Sequence, residues 1–207
     1  MKTLIAVPCM DQVAAPFAQA LASLNKEGEC SVAFHIGSLI YDSRNNIAKQ
    51  ALQLGADYVM WFDSDMTFPA DTLTRMLQHM KDGKEIVSGL YFRRTRPFTP
   101  VAFKEIVIGE TPESCSWKDY NDYPKGKIFE AAGIGFGCAM TKTEVLLDVA
   151  MNYQTMFTPL MGFGEDLSFC HRAAQLGHKI WIDPTIKCGH IGHMTVTEAV
   201  FEATMEA

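Results

Sequence analysis

Residues 58–69 read YVMWFDSDMTFP, an apolar and aromatic run followed at once by two acids, Asp63 and Asp65, on either side of Ser64. Tyr58, Val59, Met60, Trp61 and Phe62 have the length and character of a strand buried on both faces. Side chains two positions apart on an extended chain point the same way, so a strand carried on past Phe62 sets Asp63 and Asp65 on one face. Paired carboxylates suit a hard divalent ion such as Mg²⁺ or Mn²⁺, which keeps coordination positions for phosphate oxygens. The same tripeptide also reads as a turn in which Asp63 or Ser64 caps a helix beginning near Pro69.

Outward from this run, strand signals at residues 3–7, 31–36, 58–62 and 85–91 alternate with helix signals at 14–25, 43–54 and 69–80. That alternation predicts an α/β fold, a mixed and mostly parallel sheet flanked by helices. Ser43 is placed to cap the second helix and Gly55 to end it, while Ala48, Ala51, Leu52 and Gly55 leave a face of mostly small residues for close packing. Ligands on such sheets gather beyond the strand C-termini, where Pro8, Gly37 and Asp63 stand, so these are expected to line one crevice. From residue 91 to 127 the rhythm is interrupted by Pro97, Pro100, Pro112 and Pro124 and by the segment CSWKDYNDYPKGK, which reads as a surface loop or hairpin. Beyond it come a glycine-rich strand region, AAGIGFGCAM at 131–140, a helix at 143–151, a helix from Glu165, strands at 179–182 and 186–188, and a tail at 196–206 able to form a helix.

Composition bounds the function classes. A chain of 207 residues, 48% hydrophobic, can bury one full core and is expected to form a single domain. Eighteen Lys and Arg against 24 Asp and Glu, net charge −6, give no general attraction to nucleic acid and no polybasic membrane patch. Six cysteines without a CxxC pair read as free, mostly buried thiols of a reducing compartment. The start MKTLIAVPCM breaks at Pro8, too early for a signal-peptide core, and no apolar segment approaches bilayer length, so a cytoplasmic location is expected.

Five further segments carry candidate chemistry or binding. In GFGEDLSFCHRAAQLG, residues 162–177, Glu165 and Asp166 open a helix whose dipole favours their ionised form, as a carboxylate base requires; acids at this position also serve simply as helix-end charges. CGHIGH puts His190 and His193 after the last strand, where a neutral imidazole can complete a metal site begun by Asp65 or can pack as an ordinary histidine. SRNNIA places Arg44 and Asn45 in a first helical turn, within reach of a diphosphate or on a solvated face. YFRRTRP clusters Arg93, Arg94 and Arg96, which can bind an anion or stay solvated. AAGIGFG lacks the context of a dinucleotide fingerprint, and its glycines suggest backbone lying close to a bound sugar or acceptor.

In order, a first strand ending at Pro8, an SRN segment, a hydrophobic strand into DSD, a glycine-rich strand, GED before a helix and a last strand into HIG resemble the GT-A fold glycosyltransferases of family 2. The resemblance spans roughly residues 3–193. It implies a metal-dependent transfer of a sugar from a nucleotide-diphosphate sugar, a UDP-sugar first, to an acceptor hydroxyl, with inversion. It also implies residues 1–92 as the donor half, 93–193 as the acceptor and catalytic half, and 194–207 as a tail. Pro8, Arg44, Asn45, Asp63, Ser64 and Asp65 would then bind the donor; Asp65, Asp63 and His190 would hold Mn²⁺ or Mg²⁺; Asp166 would be the base, with Glu165 beside it. Gly135, Phe136, Gly137 and Trp117 would meet the acceptor, a sugar, a protein or a modified nucleic-acid base.

Two departures stand against the family pattern. The turn after the second strand carries Gly37 and Ser38 where relatives commonly carry acids that read the nucleotide base, leaving Asp42 or Asp11 as substitutes. The sequence runs only a little past His193, and on that ground the membrane or lipid-acceptor modules that many relatives append are not expected. A nucleotidyltransferase is the competing class, but PCMDQVAAP lacks its glycine-rich basic loop; a non-catalytic nucleotide-sugar-binding protein is a third.

Overall fold

Alternate residues of the first strand bury into opposite cores, and this sets the layers of the molecule. In β1 (Lys2–Cys9), Leu4 and Ala6 join one apolar cluster while Ile5 and Val7 join the other. The run at 58–62 divides the same way, Val59 and Trp61 to one side, Met60 and Phe62 to the other. Strands covered on both faces read as unbroken apolar runs. The computed structural model describes residues 1–192.

After β1 the chain forms α1 (Ala15–Ala22), β2 (Glu29–Ile36), α2 (Ile40–Leu54), β3 (Tyr58–Phe62), β4 (Met66–Thr67), α3 (Thr72–Lys81) and β5 (Ile86–Leu90). It continues with β6 (Ala102–Val107), β7 (Ser116–Asp119), β8 (Phe129–Ala131), β9 (Gly133–Ile134), β10 (Cys138–Lys142), α4 (Thr143–Tyr153), α5 (Glu165–Gln175), β11 (Ile180–Lys187) and β12 (Gly189–His190). The main sheet runs β2-β1-β3-β10-β5-β11-β8. β1 pairs in parallel with β2 and β3, and β5 with β11, while β10 runs antiparallel between β3 and β5. Helices α2, α4 and α5 bury Ile47, Val145 and Phe169 on one face; α1 and α3 bury Phe17 and Leu77 on the other. The C-terminal ends of β1, β2, β3, β5 and β11 therefore open on one edge.

Several boundaries differ from the sequence expectation for local reasons. Helix α2 starts at Ile40, a turn before Ser43, so Ser43 does not cap it; its hydroxyl instead meets the His35 ring at 3.1 Å. Gly55 does end that helix, with φ 62°, and Ala48 and Ala51 are buried against the sheet. A bulkier side chain at either alanine would push the helix away, an overpacking cost of about 1–3 kcal/mol. Helix α3 begins at Thr72, three residues beyond Pro69, after a turn in which the Thr72 N–H bonds the Pro69 carbonyl at 3.1 Å. The excursion is a β6–β7 hairpin joined by β9 in a three-stranded sheet. The glycine-rich region is three short strands, and the last strands are one, β11, with an irregularity between Asp183 and Lys187. His193 and the tail at 196–206 lie outside the described residues. No helix among the described residues is long and apolar enough to cross a membrane.

Candidate active site

A cleft of about 390 Å³ opens at the strand C-termini, lined by Pro8, Cys9 and Met10 from the end of β1, Gly37, Ser38 and Ile40 around the start of α2, and Asp63, Ser64, Asp65, Arg94 and His190. Pro8, Gly37 and Asp63 thus meet in one crevice, as a parallel sheet with these register positions requires. Asp11 and Asp42 do not line it and are exposed.

The DSD segment departs from the extended geometry expected of it. Strand β3 stops at Phe62, and the Asp63 carbonyl accepts the Met66 N–H at 3.1 Å, so residues 63–65 form a turn. The two carboxylates then go to different partners. Asp63 Oδ1 accepts from Arg44 Nη2 at 2.9 Å, whereas Asp65 Oδ2 pairs with Arg94 and faces His190 Nε2 at 3.5 Å. The antiparallel pairing of β12 with β4 sets His190 opposite Met66, and the Ile191 N–H bonds the Asp65 carbonyl at 2.8 Å. A two-residue strand thereby brings a histidine from the far end of the chain against the DSD turn.

His190 Nδ1 lies 2.9 Å from the Phe92 carbonyl, which can only accept, so this nitrogen carries the hydrogen. Nε2 is left facing Asp65. Its hydrogen bond with Asp65 raises the imidazole pKa above the ordinary value, with burial working the other way. Burial alone would raise Asp65 as well, but the His190 hydrogen bond and the charges of His190 and Arg94 hold that carboxyl below the usual range.

Arg44 lies behind the cleft, 1% exposed, rather than in it. Its Nε stands 3.5 Å from Glu165 Oε1 and 3.4 Å from Asp166 Oδ1, and its guanidinium sits 5.6 Å from the centre of the Phe136 ring. One buried cation therefore faces three carboxylates from two separate elements. Burial works against its charge, but Asp63, Asp166 and Glu165 more than offset that and raise its pKa further. Asp166 is the opposite case: burial pushes it up to about 7, with Glu165 and Asp63 adding to the shift against the pull of Arg44. Its Oδ1 is fully buried without a hydrogen-bond partner, although the side chain as a whole is 29% exposed. A carboxylate whose proton is held near neutral pH is suited to general-base work.

The remaining expected residues separate. Asn45 is one position on from Arg44, about 100° round the helix. It points away from the cleft; its Oδ1 accepts the N–H groups of Met156 and Phe157 at 3.2 and 2.9 Å, so it fastens the segment leading to α5. Gly135, Phe136 and Gly137 are buried. A Cβ at Gly135 would lie 2.1 Å from the Tyr91 hydroxyl oxygen, and one at Gly137 3.0 Å from the same ring, so these glycines admit Tyr91 rather than a ligand. The Gly137 N–H donates to that hydroxyl at 3.1 Å. Trp117 projects from β7 into a second cleft.

Asp65 and His190 are donors that fit a hard divalent ion: a carboxylate and an imidazole nitrogen share one wall of the cleft, with positions left for other oxygens. The wider set of Asp63, Asp65 and His190 does not converge, because Asp63 is turned to Arg44. Among the described residues no group of three or more His, Cys, Asp and Glu side chains is gathered for a metal. Arg94, bonded to Asp65, was not singled out by sequence reasoning beyond its cluster, and no local signal links two residues 29 positions apart.

The profile described as glycosyl transferase family 2 matches residues 18–147. The chain belongs to glycosyl transferase family 2. Among solved structures, A197 from STIV is similar with a TM-score of 0.68 at 17% identity, over 93% of this chain and 87% of that one. GalNAc-T7, solved with UDP, GalNAc and Mn²⁺, is similar with a TM-score of 0.63 at 13% identity, over 94% of this chain and 44% of that one. At these identities the likeness establishes the fold, which is GT-A, as the order of motifs implied. No curated protein matches the chain. The family 2 match contains Arg44, Asp63, Asp65 and Arg94, while Glu165, Asp166 and His190 lie beyond its end and are brought to the site by the fold.

Proposed function

We propose that this family 2 domain transfers a sugar from a nucleotide-diphosphate sugar, with UDP as the nucleotide, to an acceptor hydroxyl, with inversion at the anomeric carbon. The observation that carries the reading is that Asp63, which lines the strand-end cleft with Asp65 and His190, is joined through the Arg44 guanidinium to Glu165 and Asp166 at the start of α5. Pro8, Gly37, Ser38, Asp63 and Ser64 form the walls available to the nucleotide. Asp65 and His190 would hold Mn²⁺ or Mg²⁺, whose charge would neutralise the leaving diphosphate. UDP and Mn²⁺ in the similar GalNAc-T7 structure support that choice of donor and ion.

Asp166 takes the proton of the acceptor hydroxyl as its oxygen bonds to the anomeric carbon. The bond from that carbon to the diphosphate oxygen breaks, and its electron pair leaves on the phosphate. A single displacement on the face opposite the leaving group inverts the centre. Arg44 keeps Asp166 from being held protonated throughout, and Glu165 raises its basicity. Arg94 adds a cation beside the position of the leaving group.

The test is a thermal-shift panel of UDP-, GDP-, CMP- and dTDP-sugars, each with and without Mn²⁺, on the wild type and on Asp65→Ala. Ligands that bind the folded state raise Tm with the logarithm of their excess over Kd. One nucleotide sugar is expected to stabilise the wild type only with metal, and to lose that effect in the variant. Stabilisation by none of them, or stabilisation indifferent to Mn²⁺ and Asp65, overturns the reading.

A further inference from the structure

We propose that the acceptor is a carbohydrate, received on an aromatic shelf at Trp117 beside the acids of α5; this rests on the glycosyltransferase reading above. The shelf belongs to a second cleft of about 300 Å³, on which Arg93, Phe103, Trp117, Phe163 and Gly164 converge, a volume at the small end of ligand sites, which run roughly 300–1,000 Å³. Trp117 is 49% exposed, unusual for so large an apolar ring, and stands edge-on to the buried Phe163 with ring centres 6.0 Å apart. The indole is thus braced by Phe163 while much of its surface stays open to solvent.

The shelf is tied to the catalytic helix. Gly162 sits at φ 82°, a conformation that favours glycine, and a Cβ there would come within 2.9 Å of Cys115 Cβ. Cys115 Sγ also donates to the Met161 carbonyl at 3.2 Å. Cys115 is two residues from Trp117, and Gly162 is three from Glu165, so the hairpin and the start of α5 are fastened at this point. Gly164 is different: its φ of −68° is open to any residue, and a Cβ built on it meets nothing within 4 Å. Gly164 lines the Trp117 cleft and is followed directly in the chain by Glu165 and Asp166, the first residues of α5.

The polar groups decide the class of ligand. Arg93 Nη2 donates to Asp119 Oδ1 at 2.9 Å, and the guanidinium lies 5.8 Å from the centre of the Phe103 ring. A fixed donor fork beside a fixed carboxylate, next to an aromatic plane, matches a pyranose, which offers a C–H face to the ring and hydroxyls to the polar pair. Arg93 is balanced by Asp119, and Glu165 and Asp166 stand next in line, so the local charge disfavours a phosphodiester chain. With Phe103 and Phe163 buried, the exposed apolar area of the cleft rests mainly on Trp117 and is too small for a lipid tail.

The full chain, with UDP and Mn²⁺ added, would be applied to an array of neutral mono- and oligosaccharides, and in parallel to single-stranded oligonucleotides and to Ser- and Thr-containing peptides. Wild type and Trp117→Phe are expected to retain a subset of glycans, with retention at least tenfold weaker in Trp117→Ala. Gly164→Val provides a second variant whose side chain enters open space rather than the core, and it is expected to abolish retention too. UDP with Mn²⁺ should raise Tm equally in all four proteins. The proposal is overturned if UDP binds but no glycan is retained, if Trp117→Ala retains glycans like the wild type, or if Trp117 supports binding of an oligonucleotide or a peptide instead. Glycans held through Trp117 by a protein that fails to bind UDP would uphold the shelf while overturning the donor assignment.

Discussion

Arg44 Nη2 stands 2.9 Å from Asp63 Oδ1, and through this contact the acid at the end of β3 shares one buried cation with Glu165 and Asp166 of α5. A cation so enclosed is stabilised only by its partners, and its partners by it, since an unpaired buried charge is far costlier than the pair is favourable.

Replacing Arg44 by Ala is therefore expected to destabilise the fold by about 3–5 kcal/mol, the range for stripping one partner from a buried ion cluster. Arg44→Lys keeps the charge but not the fork that reaches three carboxylates, and should fall between. Urea unfolding of the three proteins measures the order; an Arg44→Ala protein as stable as the wild type would show that the cluster contributes nothing to folding.

Asp166 offers a pH signature with opposite signs for activity and stability. Its folded pKa, pushed up to about 7, lies above the ordinary 3.8, so the folded chain binds the proton more tightly than the unfolded one. Stability from this group is fully present below the unfolded value and is lost as pH rises toward 7 and through it. Transfer, which needs the carboxylate, should instead rise as pH passes through about 7. Asp166→Asn should slow transfer by roughly 10²–10⁴, the usual contribution of a general base, while weakening the decline in Tm between pH 5 and pH 8. Rate profiles and thermal melts on both proteins over that interval test the two signs together.

Arg94 occupies the same oxygen of Asp65 that faces His190. Arg94→Ala should release that carboxylate and tighten Mn²⁺ binding in the absence of nucleotide by about fivefold, equivalent to the ~1 kcal/mol of an exposed ion pair. Titration followed by Mn²⁺ paramagnetic resonance reads this without any turnover. Unchanged or weaker binding would mean that the ion pair does not compete with the metal.

Asn45 gives the contrasting case, a residue next to Arg44 in sequence with a purely supporting position. Asn45→Ala leaves the N–H groups of Met156 and Phe157 without their acceptor and should cost about 1–3 kcal/mol in unfolding free energy. Calorimetry of UDP binding should give a Kd within about twofold of the wild type, below the ~0.5 kcal/mol of an ordinary hydrogen bond. A larger loss of affinity would place Asn45 at the donor after all.

The layers of this protein were legible because burial leaves a periodic trace. Unbroken apolar runs in β1 and β3, a small-residue face ended by Gly55 in α2, and alternation of strand with helix all follow from local chain geometry and the need to cover both faces of a sheet. The meeting of Pro8, Gly37 and Asp63 follows equally, since parallel strands end together. Segments broken up by glycine were harder: the region at 131–140 carries no periodicity that separates three short strands from one, and the glycines themselves do not say that Tyr91 fills their missing side chains.

Which acid meets which cation was decided by tertiary structure alone. Asp63 finds Arg44 across 19 positions, Asp65 finds Arg94 across 29, and Arg44 finds Glu165 across 121. In sequence Asp63 and Asp65 are equivalent members of one motif; the turn that follows β3 leaves both on the cleft but sends one to the buried Arg44 and the other to Arg94 and His190. The residue types of the site, and the family they belong to, are properties of the sequence, because chemistry and strand order are written locally. Their partners, burial and proton affinities depend on distances between elements far apart in the chain, and those distances exist only once both faces of the sheet are packed.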